Sequence, residues 1–268
     1  DYDDDYNYYV YTNTGDRDVR EVLTGKYFVR RTEALDGPTV YQRYDASLGQ
    51  EIEARGYNAQ AVVRAARAGM LTHRWNLMFF TMFTALPRTN AAQAYRAYLG
   101  YDISKLEGLF DIPGEPVDYD NKDVQRADCA VCHATLDPLT YPFAAYEGIG
   151  GGDERRANFL PYSYNPSRLR RFEPLDGETV TDTPQGGAIL GQPVANLIEW
   201  AEVAANSEEF AQKVALDYWR LLLGEEPRAA ELVEFEELWR GLMDERGQNY
   251  RVERMLHALI KTEAYGVP

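Results

Sequence analysis

The chain has 268 residues and no internal repeat, a length that suits one or two domains and is ample for a core. With 45% hydrophobic, 13% aromatic and 26% charged residues it falls in the soluble globular class rather than the disordered or disulfide-stapled ones, and no window approaches the ~18 uninterrupted apolar residues of a membrane-spanning helix. Its 28 Lys and Arg against 43 Asp and Glu leave a formal net charge of -15, a field that repels phosphate backbones, so nucleic acid is excluded and basic partners are favoured.

The chain opens on Asp1 rather than Met, as expected of a processed or trimmed sequence in which any signal peptide is no longer visible. Residues 1–15 carry five tyrosines in the first eleven positions among clustered acids. They read as an acidic, Tyr-rich arm, either a solvated terminus or a segment lying on a neighbouring subunit, since tyrosine is enriched at interfaces. Asp16 or Asp18 caps a predicted helix through Thr24, stopped by Gly25. An Ala-rich helix is predicted over 58–68, with Asn58 as its cap and Gly69 as its break. An apolar stretch from Trp75 to Phe83 follows, then a helix from Ala91 to Gly100 capped by Thr89 or Asn90. Phe110 to Asp120 reads as a loop feeding the segment that carries Cys129.

Between Gly148 and Gly191 periodicity fades, and Gly177 to Thr183 is a predicted β-hairpin. Helical patterning returns over Val194 to Ala204, Ser207 to Leu223, Pro227 to Arg246 and Val252 to Thr262. The predicted fold is mostly α. It consists of the arm at 1–15, a helical haem-binding domain with long loops at 16–190, and a C-terminal helical module at 191–268 packed on it.

The only cysteines are Cys129 and Cys132, in the run Asp128-Cys129-Ala130-Val131-Cys132-His133. This is the C-x-x-C-H pattern of c-type haem attachment. Each thiol adds to one haem vinyl group, and His133 is held beneath the iron as proximal ligand. A thioredoxin-like pair needs a strand upstream, and none is predicted there. A structural zinc site needs four ligands and would have to recruit His73 or His257 from afar. A disulfide across two residues closes too small a loop to stabilise much. One motif implies one covalently bound haem c, and covalent attachment implies a place outside the cytoplasm: periplasmic, lumenal, secreted or at the cell surface.

The text beyond the motif, from Ala134 to Gly150, contains Asp137-Pro138-Leu139, Phe143 and Gly150. With the motif it resembles the planctomycete-type cytochrome c domain, although Tyr146-Glu147 stands where that family has Glu-x-Phe-Asp. Arg20 to Tyr27 and Arg67 to Thr72 are similar to modules that precede this domain, and Gly191-Gln192 with the closing helices to the module that follows it. The resemblance covers most of residues 17–265. It implies an extracytoplasmic protein that handles electrons.

Two strong axial ligands make an electron carrier, whereas an open distal position admits peroxide or another small molecule. The distal candidates are His73 and His257, with Met70, Met78, Met82, Met243 and Met255, and His73 or Met82 is preferred. Each has an ordinary structural alternative, a surface or capping histidine or a core methionine. Asp137-Pro138 is expected to turn the chain away from the haem, with its backbone or its carboxylate holding the second nitrogen of His133. Tyr141, Phe143 and Tyr146 are expected to wall the ring, and Arg74, Arg88 and Arg126 to meet its propionates. The expected function is one-electron transfer to redox protein partners, as a carrier rather than an enzyme, set against two rivals: a peroxidase-like haem enzyme and a structural subunit of an assembly docked through the Tyr-rich arm.

Overall fold

The computed structural model describes residues 3–32, 37–44, 62–81, 86–105, 110, 112–119, 122–148, 163–166, 169 and 182–266. Helices dominate them, and their strands form three two-stranded antiparallel pairs. None of their helices is long and apolar enough to cross a membrane.

The amino-terminal segment is part of this fold. Helix α1 (Asp3–Asn13) packs on strand β1 (Phe28–Thr32), which pairs with β2 (Val40–Tyr44) in the register Phe28 to Tyr44. Tyr8 and Tyr11 are three residues apart, so they share one helix face. Their rings meet Tyr27 at 5.3 and 6.0 Å. Tyr8 is fully buried, and its hydroxyl donates to the Glu21 carbonyl. Thr12 and Asn13 donate side-chain hydrogen bonds back to Tyr8 and Tyr9 carbonyls at 3.0 and 2.9 Å, which stabilises the last turn. Tyr6 and Tyr9 remain exposed.

Helix α2 (Glu21–Thr24) is short, and Gly25 follows it as predicted. The Gly69 N–H donates to the Gly25 carbonyl at 3.1 Å. Gly69 has φ +44°, and a Cβ there would lie 2.1 Å from the Val22 carbonyl oxygen. Only glycine permits that approach.

The helix predicted over 58–68 falls partly outside the described residues, and residues 62–68 hold only a 3-10 turn (Arg64–Ala66). Arg67 explains the difference. Its guanidinium donates to the Val62 carbonyl at 2.9 Å and lies 3.9 Å over the Phe28 ring, a tertiary demand that overrides alanine's helix propensity.

A second 3-10 turn (Gly69–Thr72) leads into α3 (Arg74–Phe80). Helix α4 (Arg88–Ala94) continues as a π turn (Tyr95–Leu99) and ends at left-handed Gly100. Helix α5 (Ala127–Thr140) carries the cysteine motif and is followed by a 3-10 turn (Tyr141–Phe143) and β3 (Tyr146–Glu147), paired with β4 (Ser163–Tyr164). Most of the segment 148–186, including most of the predicted hairpin, lies outside the described residues.

Strands β5 (Gly187–Ile189) and β6 (Gln192–Val194) form a hairpin that shortens the first predicted C-terminal helix. That helix, α6 (Leu197–Ala205), starts where the Asn196 side chain accepts from the N–H groups of Ile198 and Glu199. Helix α7 (Glu208–Leu223) matches the predicted span Ser207 to Leu223, with the Ser207 side chain as its cap and left-handed Gly224 at its end. Helices α8 (Leu232–Met243), α9 (Val252–Leu259) and α10 (Glu263–Gly266) complete the described residues.

One hydrophobic cluster runs from Val19 on the amino-terminal side to Leu259 in α9. Trp200 of α6 sits in it, edge-on to Tyr95 at 5.5 Å and Phe143 at 5.4 Å. The C-terminal helices therefore share a core with the segment that carries the cysteines.

Candidate functional site

Helix α5 places Cys129, Cys132 and His133 within its first two turns. Spacings of three and four residues bring side chains to one helix face. Both thiols are half-buried and unbonded, Val131 between them is 72% exposed, and the His133 side chain is 24% exposed. The motif thus presents two free thiols and one imidazole at the protein surface.

One turn further on, Asp137 is fully buried. Its Oδ1 lies 2.9 Å from Nδ1 of His133, so the carboxylate holds one imidazole nitrogen and leaves Nε2 available. Arg88, at the start of α4, clamps the same carboxylate with Nε to Oδ1 at 2.6 Å and Nη2 to Oδ2 at 2.8 Å. A buried carboxylate is tolerable only when paired in this way.

The chain does not turn at Asp137-Pro138. Pro138 lies inside α5, where its ring removes one N–H late in the helix, while Thr140 Oγ1 donates to the Asp137 carbonyl at 2.7 Å. The hairpin of β5 and β6 holds this end in place. A Cβ on Gly187 would lie 2.1 Å from the Pro138 carbonyl oxygen, so strand and helix approach as closely as glycine allows.

The expected ring-walling residues go to different places. Tyr141 is buried with Leu86 and Ala144, edge-on to Tyr119 at 5.4 Å, and donates to the Glu115 carboxylate at 2.7 Å. Burial, and then Glu115, push its hydroxyl well above the usual tyrosine range. Phe143 belongs to the main core, as does Tyr146, whose hydroxyl donates to the Ala66 carbonyl at 2.6 Å.

The expected distal candidates are also spoken for in part. His73 is 2% exposed and sits before α3. Its Nδ1 is 3.3 Å from Oδ1 of Asp5, and its ring packs on Tyr8 at 4.4 Å and Phe28 at 5.7 Å. That contact lacks hydrogen-bond geometry, because both atoms are without a hydrogen-bond partner. Met82 lies outside the described residues. Met78 accepts from Arg74 Nε at 3.3 Å, Met70 and Met243 pack partly buried on the core, Met255 is fully buried in it, and His257 is exposed.

Of the arginines expected at the propionates, Arg88 is engaged by Asp137, Arg74 is buried, and Arg126 is exposed beside Asp123 and Asp128. The Arg88 contact is the residue relationship that sequence reading missed, since its partner is 49 positions away.

Among the described residues, no group of three or more His, Cys, Asp and Glu side chains forms a metal-binding cluster. The described residues 112–119 and 122–126 before α5 contain no strand of the kind a thioredoxin-like motif follows. The residues present do fit a covalently attached ring: two unbonded thiols on one face, and an imidazole whose second nitrogen is tied down. Comparisons with protein-family models, with curated proteins and with solved structures give no match for this chain.

Proposed function

We propose that this chain is an extracytoplasmic monohaem c-type cytochrome of the planctomycete-type class, with a helical haem domain, working in one-electron transfer within a larger assembly. The observation that carries the reading is the imidazole of His133, fixed by Asp137 at 2.9 Å and following Cys129 and Cys132 in a C-x-x-C-H run. Cys129 and Cys132 would hold the haem through two thioether bonds, each thiol adding across one vinyl group with its hydrogen going to the alkene, so that no leaving group is needed. The haem, when bound, supplies the reversible one-electron couple. His133 would offer Nε2 to the iron, while Asp137 holds the imidazole in one orientation and Arg88 compensates the buried charge of Asp137.

The surface charge favours a basic redox partner. Tyr6 and Tyr9 on α1, with the exposed Trp75 and Phe79 rings tilted against each other at 3.9 Å, supply amphipathic contact area for such a partner or for a second copy. Solution mass measured for the chain and for a Tyr6→Ser, Tyr9→Ser double variant tests the second copy. A monomeric mass in both removes self-assembly through α1.

A peroxide-activating haem enzyme is the second reading. The observation that favours it is the same Asp137 carboxylate, because an electron-rich proximal ligand also suits cleavage of a bound peroxide. Optical and electron paramagnetic resonance spectra of the oxidised and reduced protein, with carbon monoxide and peroxide added in turn, separate the two. Low-spin spectra indifferent to both additions mark the electron carrier, with two axial ligands supplied by the protein. A high-spin component that shifts on addition marks the enzyme.

A further inference from the structure

We propose that Arg88 and Asp137 act as opposed controls on the electron donation of His133, and so set the reduction potential of the haem, an inference that rests on the haem reading above. The geometry shows a contest at one atom. Oδ1 of Asp137 meets both Nδ1 of His133 at 2.9 Å and Nε of Arg88 at 2.6 Å, while Oδ2 meets Nη2 of Arg88 at 2.8 Å. Asp137 has no exposed side-chain surface and Arg88 only 21%, so water screens this exchange weakly.

A carboxylate that accepts from Nδ1–H draws that proton toward itself and makes the opposite nitrogen a stronger donor. Stronger donation favours the ferric over the ferrous state, because the added density is worth more against the higher charge, and the potential falls. The bidentate fork of Arg88 works in the other direction. It occupies both oxygens of Asp137 and takes up negative charge that would otherwise be spent on His133. Arg88 acts through Asp137, as a positioning and tuning residue.

Two variants separate this from a merely structural role. Asp137→Asn keeps the shape and removes the charge, so its potential is expected to shift upward. Arg88→Lys keeps a positive charge and loses the two-armed grip, so its potential is expected to shift downward, by less. The measurement is a spectroelectrochemical titration of the haem-loaded full chain and both variants at one pH, in which the electrode supplies one electron per iron.

Shifts of opposite sign support the proposal, whereas shifts of the same sign, or none, overturn it. If Asp137→Asn does not fold, Arg88→Lys decides alone, and an unchanged or raised potential overturns the proposal. A wild-type chain that carries no haem overturns the functional reading and this inference together. A haem-loaded chain with unmoved potentials overturns this inference only.

Discussion

Asp137 holds His133 from one turn further along the same helix, with Oδ1 at 2.9 Å from Nδ1, and it does so from a fully buried position. The pairing is local in sequence and needs only the four-residue helical spacing. What makes it sustainable is remote: Arg88 arrives from another helix to pair the carboxylate. The orientation of a surface imidazole is thereby referred to the interior of the fold.

Removing that carboxylate leaves Arg88 and His133 without their shared acceptor. Asp137→Ala is expected to lower unfolding stability by about 3 kcal/mol, the usual cost of breaking a buried pair from one side. Urea denaturation of the haem-free chain and variant checks it, and a midpoint unchanged by the substitution contradicts it.

Alkaline pH is expected to unfold the protein through its buried tyrosines. Burial raises the hydroxyls of Tyr141 and Tyr146 well above the ordinary value of 10.0, as it does that of Tyr8, where Tyr27 and Glu21 add to the effect. The folded state keeps these protons at a pH where the unfolded chain has lost them. Their stabilisation is therefore complete below pH 10 and falls as pH rises above it, by about 1.4 kcal/mol per pH unit for each tyrosine. Urea midpoints are expected to decline steeply between about pH 10 and 11.5, and a flat profile across that range would falsify the assignment.

Gly69 is expected to tolerate no side chain. Its φ is +44° and the Val22 carbonyl oxygen lies 2.1 Å from where a Cβ would stand, so Gly69→Ala is expected to cost at least about 2 kcal/mol. Gly266→Ala is the control, since nothing lies within 4 Å of its Cβ position. Thermal melts of the two variants are expected to differ by several degrees, and equal melting temperatures would remove the backbone contact as an explanation.

The amino-terminal helix is expected to behave as core. Tyr8→Ala empties a fully buried ring site against Tyr27 and His73, at an expected cost of about 3 to 5 kcal/mol, the range for deleting a large aromatic. Tyr6→Ala, at an exposed position, is expected to cost less than about 0.5 kcal/mol. Chemical denaturation of both variants tests the contrast, and equal effects would mean that α1 does not use one face for packing.

What the sequence made legible follows local rules. Ser207 and Gly224 bound α7 where predicted, because a hydroxyl that caps free N–H groups and a glycine that accepts left-handed backbone act within a turn. Of the two groups at Asp137-Pro138 that could hold His133, the backbone and the carboxylate, the structure uses the carboxylate, because the helix continues through Pro138 and brings the side chain four residues on to the same face. Helix α1 was not legible. Its buried face is made of Tyr8, Tyr11 and polar residues such as Asn7 and Thr12, which read as surface until β1 and α2 are placed against them. The helix expected near Ala66 yielded to Arg67 reaching Val62 and Phe28. Arg88 read as a propionate partner, because nothing in the text near it announces a buried carboxylate 49 residues later.

Cys129 and Cys132 are expected to carry a covalently bound haem. The full chain, produced in the presence of a c-type haem maturation apparatus, would be denatured, extracted with acidified acetone and weighed intact by mass spectrometry, with its visible spectrum recorded beforehand. The expected result is the mass of the polypeptide plus one haem, with the porphyrin absorbance retained by the protein after extraction and lost in a Cys129→Ser, Cys132→Ser double variant. A polypeptide mass alone, with all colour passing into the solvent or none present at the start, would contradict the account.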